Sequence, residues 1–163
     1  MPSQPPSPVR IFISYAHEDE TYKKRLETCL KGIKRRFNID YWEDRQLFAG
    51  DQFEQTILAK LKEADIVCLL ISPDFIESDN CFNKEMEQAL QKYEQNAGIP
   101  IPIIIRRTDE WYAHRIGQHT ALPTDGKPLS QWNDPDDFWA DVQKGIRRQV
   151  ERIIGRGSPA PGA

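Results

Sequence analysis

The stretch SPDFIESDNCFNKEMEQAL, Ser72 to Leu90, follows the apolar run DIVCLLI and carries two carboxylates, Glu85 and Glu87, inside a helical pattern. At about 100° per residue, Phe82, Met86, Ala89, Leu90 and Tyr93 form one apolar stripe. Glu85 falls about 60° from Phe82, on the border of that stripe, whereas Glu87 falls about 140° away and faces solvent. A carboxylate on such a border can tip into a cleft, where partial loss of water perturbs its ionisation and suits it to chemistry. The bland alternative is a boundary glutamate paired with Lys84 or a neighbouring backbone group.

Strand and helix signals alternate around this stretch. VRIFIS (Val9 to Ser14) predicts a buried strand, and ETYKKRLETCLKGIKRRF a helix with Tyr22, Leu26, Cys29, Leu30, Ile33 and Phe37 on one face. NIDYW (Asn38 to Trp42) is a short second strand. In DQFEQTILAKLKEA, Asp51 and Glu54 have the spacing of a capping box at the start of a helix. DIVCLLI (Asp65 to Ile71) is the third strand, and a helix from about Ser78 leads to Gly98. IPIPIII (Ile99 to Ile105) is the fourth, its prolines near the start, where a missing N–H is tolerated. KPLSQW reads as a short fifth strand, and DDFWADVQKGIRRQVERII as a closing amphipathic helix with Phe138, Val142, Ile146, Val150 and Ile153 at helical spacing.

Continuous apolar strands separated by helices predict an α/β fold, a five-stranded parallel sheet of flavodoxin-like order covered on both faces. Its ligand crevice is expected at the carboxyl ends of the first and third strands. Ser14, Tyr15 and His17 from SYAHEDE, and Ser72, Asp74 and Phe75 from SPDFIESDN, are the residues this crevice offers. Neither loop holds GxGxxG or GxxxxGK[ST], so a Gly-rich dinucleotide turn and a P-loop are excluded. A phosphate-accepting receiver domain would close the third strand with an aspartate; here Ser72 stands first, and Glu18, Asp19 and Glu20 come late enough to be a first helical turn.

The 163 residues hold one domain, and no apolar run approaches the ~20 residues that span a bilayer. With 22 basic and 25 acidic residues the formal charge is −3, which gives no global field to draw in nucleic acid. The basic runs YKKR and KRR are read as the solvated face of the first helix. Cys29, Cys68 and Cys81 lack CxxC spacing, and Cys68 sits in an apolar run, so a reducing cytoplasm is the expected compartment. His114 and His119 have no cysteine or acidic ligand set beside them, and no metal site is expected. The leader 1–8 and the tail 155–163 are rich in Pro, Gly and Ser and are expected to be flexible, either as frayed ends or as links to a further domain.

VRIFISYAHEDE, YWEDRQLFAGDQFEQTI, DIVCLLISPDFIESDNCFNKEMEQAL and GIPIPIIIRR, in this order and spacing, resemble the Toll/interleukin-1 receptor (TIR) domain, especially its bacterial branch. The resemblance spans residues 9–154 and includes the late segment LPTDGKPLSQWNDPDDFW. It implies self-assembly through the loop Glu43 to Gly50, with apolar Leu47 and Phe48, and in many bacterial members cleavage of NAD at its nicotinamide–ribose bond. NAD is then a substrate, and no cofactor is implied. The family's catalytic glutamate matches Glu85, and Tyr15 matches an aromatic residue of the first-loop motif. Phe75, Trp42 and Glu43 are further implied neighbours of the nucleotide, beside Ser14 and Ser72.

A single carboxylate suffices for that reaction. Nicotinamide leaves from a cationic pyridinium and needs no general acid, so the enzyme must mainly stabilise an oxocarbenium-like ribose. The sequence departs from the family's pattern at Cys81, where NAD-cleaving members often place a tryptophan against nicotinamide; Phe82, Phe75 or Trp111 are candidates to replace it. Two functions follow: an NAD glycohydrolase switched on by assembly, the output of a bacterial immune system with a fused or partner sensor, or a non-enzymatic adaptor recruiting other TIR domains.

Overall fold

The computed structural model describes residues 7–43, 63–77, 95, 98–108, 121–123 and 127–157. In chain order these form β1 (Val9–Ser14), α1 (Glu20–Lys34), β2 (Ile39–Glu43), β3 (Ile66–Ile71), α2 (Pro73–Glu77), β4 (Ile99–Ile104) and α3 (Pro135–Gly157). The strands make a parallel sheet of order β2-β1-β3-β4, the flavodoxin-like arrangement that alternating apolar runs and helices predict. Every residue of β3 is buried, as expected for a central parallel strand covered on both faces.

Strand alternation divides the core. Val9, Ile11 and Ile13 of β1 and Ile66, Cys68 and Leu70 of β3 face Leu26, Leu30 and Ile33 of α1 and Phe138, Val142, Ile146 and Val150 of α3. Each such side chain stabilises the fold by about 1.5–3 kcal/mol on full burial. Phe12 and Trp42, paired across β1 and β2, occupy the opposite face. Asp134 starts α3: its Oδ1 accepts from the Asp136 N–H at 2.9 Å, Pro135 fills the first helical position, and Asp136 and Asp137 lie in the first turn. Helices α1 and α3 approach closely at Gly32, where a Cβ would stand 2.5 Å from Gln143 Nε2. That amide donates to the Cys29 carbonyl at 2.9 Å.

The expected fifth strand differs from the structure. KPLSQW is not a strand: Leu129–Gln131 form a 3-10 turn, held by Trp132 Nε1 donating to the Lys127 carbonyl at 3.0 Å. The edge position beside β4 is taken instead by Leu122, which forms an isolated parallel bridge with Ile103. The Leu122 N–H donates to the Pro102 carbonyl at 2.8 Å, and the Leu122 carbonyl accepts from Ile104 at 2.9 Å. Odd-numbered residues of β4 direct their N–H groups toward β3 and even-numbered ones toward this outer edge. Pro100 and Pro102 therefore remove outer-edge donors, which confines the pairing to the bridge around Ile103. The Leu122 side chain packs into the space above Gly145, where a Cβ would come within 2.5 Å of its Cδ2.

Candidate functional site

The carboxyl ends of β1, β3 and β4 meet at a polar cluster that joins the expected Ser72 and Asp74 to Asp19 and Arg106, which the sequence pattern did not single out. Asp19 closes the 3-10 turn His17–Asp19 ahead of α1. Its side chain makes no cap bond to α1; it turns inward and is 0% exposed. The Ser72 hydroxyl, on the first residue after β3, donates to Asp19 Oδ2 and accepts the N–H of Phe75 at 3.0 Å. Ser72 is thus both a partner of a buried carboxylate and the cap of α2. Arg106, just beyond β4, donates through Nη1 to Asp19 Oδ1 at 3.2 Å and to Asp74 Oδ2 at 2.5 Å.

The electrostatics follow from burial. Loss of water raises the pKa of Asp19 above its ordinary value, and the hydrogen bonds from Ser72 and Arg106 and the charge of Arg106 oppose that rise. The Arg106 guanidinium is held more firmly in its charged form, first by the bond to Asp74 and then by Asp19. Ser72 is no free nucleophile, because its lone pair is engaged by a backbone N–H and its proton by Asp19.

The sequence-predicted residues fall in three groups. Ser14, Tyr15, Ser72 and Phe75 converge at this carboxyl edge, all buried. Tyr15 lies in the core cluster with Lys23 Nζ 5.7 Å from its ring centroid, and Lys23 donates to Glu27 at 2.6 Å. Trp42 is half-buried and tilted against Phe12, centroids 4.9 Å apart, while Glu43 closes β2 opposite Ile13. A cavity of about 250 Å³ adjoins this aromatic pair, but Arg10, Glu63 and Ala64 line it from the amino-terminal side of β1 and β3, away from the polar cluster. Glu85, Cys81 and Phe82, and Leu47, Phe48 and Gly50 of the expected assembly loop, lie outside the described residues. The short helix α2 starts directly after Ser72, and the helix expected from about Ser78 lies outside the described residues.

Among the described residues no group of His, Cys, Asp and Glu could hold a metal ion, and no helix is long and apolar enough to cross a membrane. Burial pushes the Cys29 thiol up to about 11 and the Cys68 thiol up to about 12, so neither acts as a nucleophile. Sequence reasoning missed Asp19 and Arg106. Asp19 sits in an acidic run that reads as a helix start, and Arg106 is the first charge after an apolar strand; their contact spans 87 positions.

Comparison with known proteins adds the family context. The model of the TIR domain family matches residues 11–144. The uncharacterised protein y4lF of Sinorhizobium fredii is 38% identical over 151 residues, 93% of this chain and 46% of that relative. The chain thus spans less than half the length of this curated relative. Among solved structures, the TIR domain of the Toll-related receptor TRR-2 from Hydra magnipapillata superposes with a TM-score of 0.56 at 22% identity, covering 84% of this chain and 97% of that one. The heterodimer of the RPS4 and RRS1 TIR domains gives 0.58 at 10% identity, covering 85% and 95%. Both share the fold.

Proposed function

The chain belongs to the TIR domain family, and from that premise we propose that it is an NAD glycohydrolase whose catalytic carboxylate is Glu85. One observation carries the reading: the exits of β1 and β3 are joined through Asp19 and Ser72 into a fixed rim, at the sheet edge where open α/β folds bind ligands. The chain passes from that rim through α2 shortly before Glu85. In the reaction, the glycosidic bond between ribose C1′ and the pyridinium nitrogen breaks, and nicotinamide takes the bonding pair. The Glu85 carboxylate offsets the positive charge that develops on the ribose. Attack by water gives ADP-ribose, and attack by the adenine ring gives a cyclic isomer. Ser14, Tyr15, Ser72 and Phe75 shape the crevice, Trp42, Glu43, Cys81 and Phe82 are the further nucleotide-binding candidates, and NAD is the substrate.

Self-association through Glu43–Gly50, with Leu47 and Phe48 as its apolar contacts, switches the enzyme on. The RPS4 and RRS1 TIR domains pair as a heterodimer, a contact of the general kind this requires. The part of y4lF that this chain does not span leaves room for a sensor domain. Such a protein would serve as an effector of bacterial immune signalling in the cytoplasm, without nucleic acid or membrane as partner.

Cys81 favours a second reading, a non-enzymatic adaptor that binds other TIR domains, because it stands where many NAD-cleaving relatives place a tryptophan. Incubation of the concentrated chain with NAD, with free nicotinamide followed by chromatography, separates the two. Release by the wild type and Glu87→Ala but not by Glu85→Ala supports the enzyme. No release, even when the chain is forced to cluster, leaves the adaptor. Phe48→Asp is expected to abolish oligomers and turnover together; turnover by a strict monomer refutes activation by assembly.

A further inference from the structure

Arg106 ties three segments far apart in sequence at one nitrogen. Its backbone is fixed first: the N–H groups of Ile105 and Arg106 both donate to the carbonyl of Ile71, the last residue of β3, at 3.2 and 3.4 Å. From there Nη1 reaches Asp19, in the turn that leaves β1, and Asp74, in the first turn of α2. Asp19 in turn accepts from Ser72, whose hydroxyl and carbonyl receive the N–H groups of Phe75 and Ile76 at 3.0 and 3.1 Å and so set the direction of α2. Asp19 is shut off from water, so without Arg106 its charge would rest, among the described residues, on the one neutral side-chain donor Ser72. The structure would then either take up a proton there or open the rim.

We propose that Arg106 is the positioning residue of the crevice, clamping the exits of β1 and β3 together through Asp19 and Asp74 so that α2 keeps the direction that turnover requires. The link to turnover rests on the glycohydrolase reading; the clamp itself does not. Both bonds leave one nitrogen, and no bond of Nε or Nη2 is present among the described residues. An arginine used in this way is not a planar fork. A lysine, which normally fails to replace a bidentate arginine, meets the same demand with one ammonium carrying three donors.

The test uses Arg106→Gln and Arg106→Lys beside the wild type and Glu85→Ala, read by nicotinamide release and by amide deuterium exchange. In Arg106→Gln, kcat is expected to fall about tenfold or more with KM within about twofold, since misplaced groups cost turnover more than ground-state binding. The Phe75 and Ile76 amides should exchange about tenfold faster or more, while α3 keeps its protection. Arg106→Lys should restore kcat and protection to within about threefold. Unchanged exchange at Phe75 and Ile76 in the glutamine variant, loss of protection spread through α1 and α3, or a lysine variant as impaired as the glutamine one would each overturn the clamp. A normal kcat with faster exchange would overturn its link to turnover. A wild type that releases no nicotinamide refutes the glycohydrolase reading and the link with it, and the exchange data then decide the clamp alone.

Discussion

Replacing Ser72 with alanine removes one oxygen and leaves two partners exposed to a cost that depends on pH. The Phe75 N–H loses its cap, worth about 1 kcal/mol for a serine at a helix start. Asp19, fully buried, loses one of the two side-chain donors it has among the described residues, a loss of about 1.5–3 kcal/mol where the acceptor is ionised. The sum at neutral pH is about 2.5–4 kcal/mol, or a fall in Tm of about 5–16 °C at about 2–4 °C per kcal/mol for a chain of this size. The sign of the pH dependence is fixed by Asp19. Its folded pKa lies above the ordinary 3.8, so the folded chain binds this proton more tightly, and the group's contribution to stability falls as pH rises from 3.8 through the folded value. Removing the Ser72 bond, which lowers that pKa, moves the folded value further up. The difference between variant and wild type is therefore largest above both folded values. As the pH falls below both it shrinks toward the cap contribution alone. Urea unfolding of both proteins at neutral and acid pH measures it. A destabilisation that is flat in pH, or below about 1 kcal/mol at neutral pH, refutes the coupling of Ser72 to an ionised Asp19.

Two helix glycines should respond to alanine with opposite signs. Gly145→Ala drives a methyl to 2.5 Å from Leu122 Cδ2 and is expected to destabilise by about 1–2 kcal/mol despite better helix propensity, whereas Gly155, with nothing within 4 Å, should gain a few tenths; thermal melts of both report this. Iodoacetamide at about pH 8 should leave Cys29 and Cys68 unmodified in the native chain and label them once unfolded, because burial suppresses their thiolates, and peptide mapping by mass reads it.

The strands and long helices were legible because their burial is continuous or periodic: DIVCLLI is buried throughout β3, and Phe138, Val142, Ile146 and Val150 mark the inner face of α3 at its own repeat. KPLSQW misled for a physical reason. Leu129 and Trp132 are partly buried against the core, but they reach it from a tight turn closed by Trp132, whose ring meets Phe138 edge-on, centroids 5.9 Å apart. Their spacing alone could not separate that turn from a strand. The carboxyl edge of β1 and β3 was legible from strand order, and Ser14, Ser72 and Phe75 are buried there. Its polar wiring was not. Asp19 and Arg106 each sit where a charge is ordinary, at a helix start and after a strand, and only the sheet brings them to 3.2 Å.

The outer edge of β4 has a consequence for how copies of this chain can meet. An exposed strand edge is a template on which another chain can add its own backbone, the usual start of irreversible aggregation. Pro100 and Pro102 each remove a donor from that edge, and Leu122 takes up the Ile104 N–H in the stretch around Ile103. Growth of a continuous sheet from copy to copy is thereby disfavoured at this side.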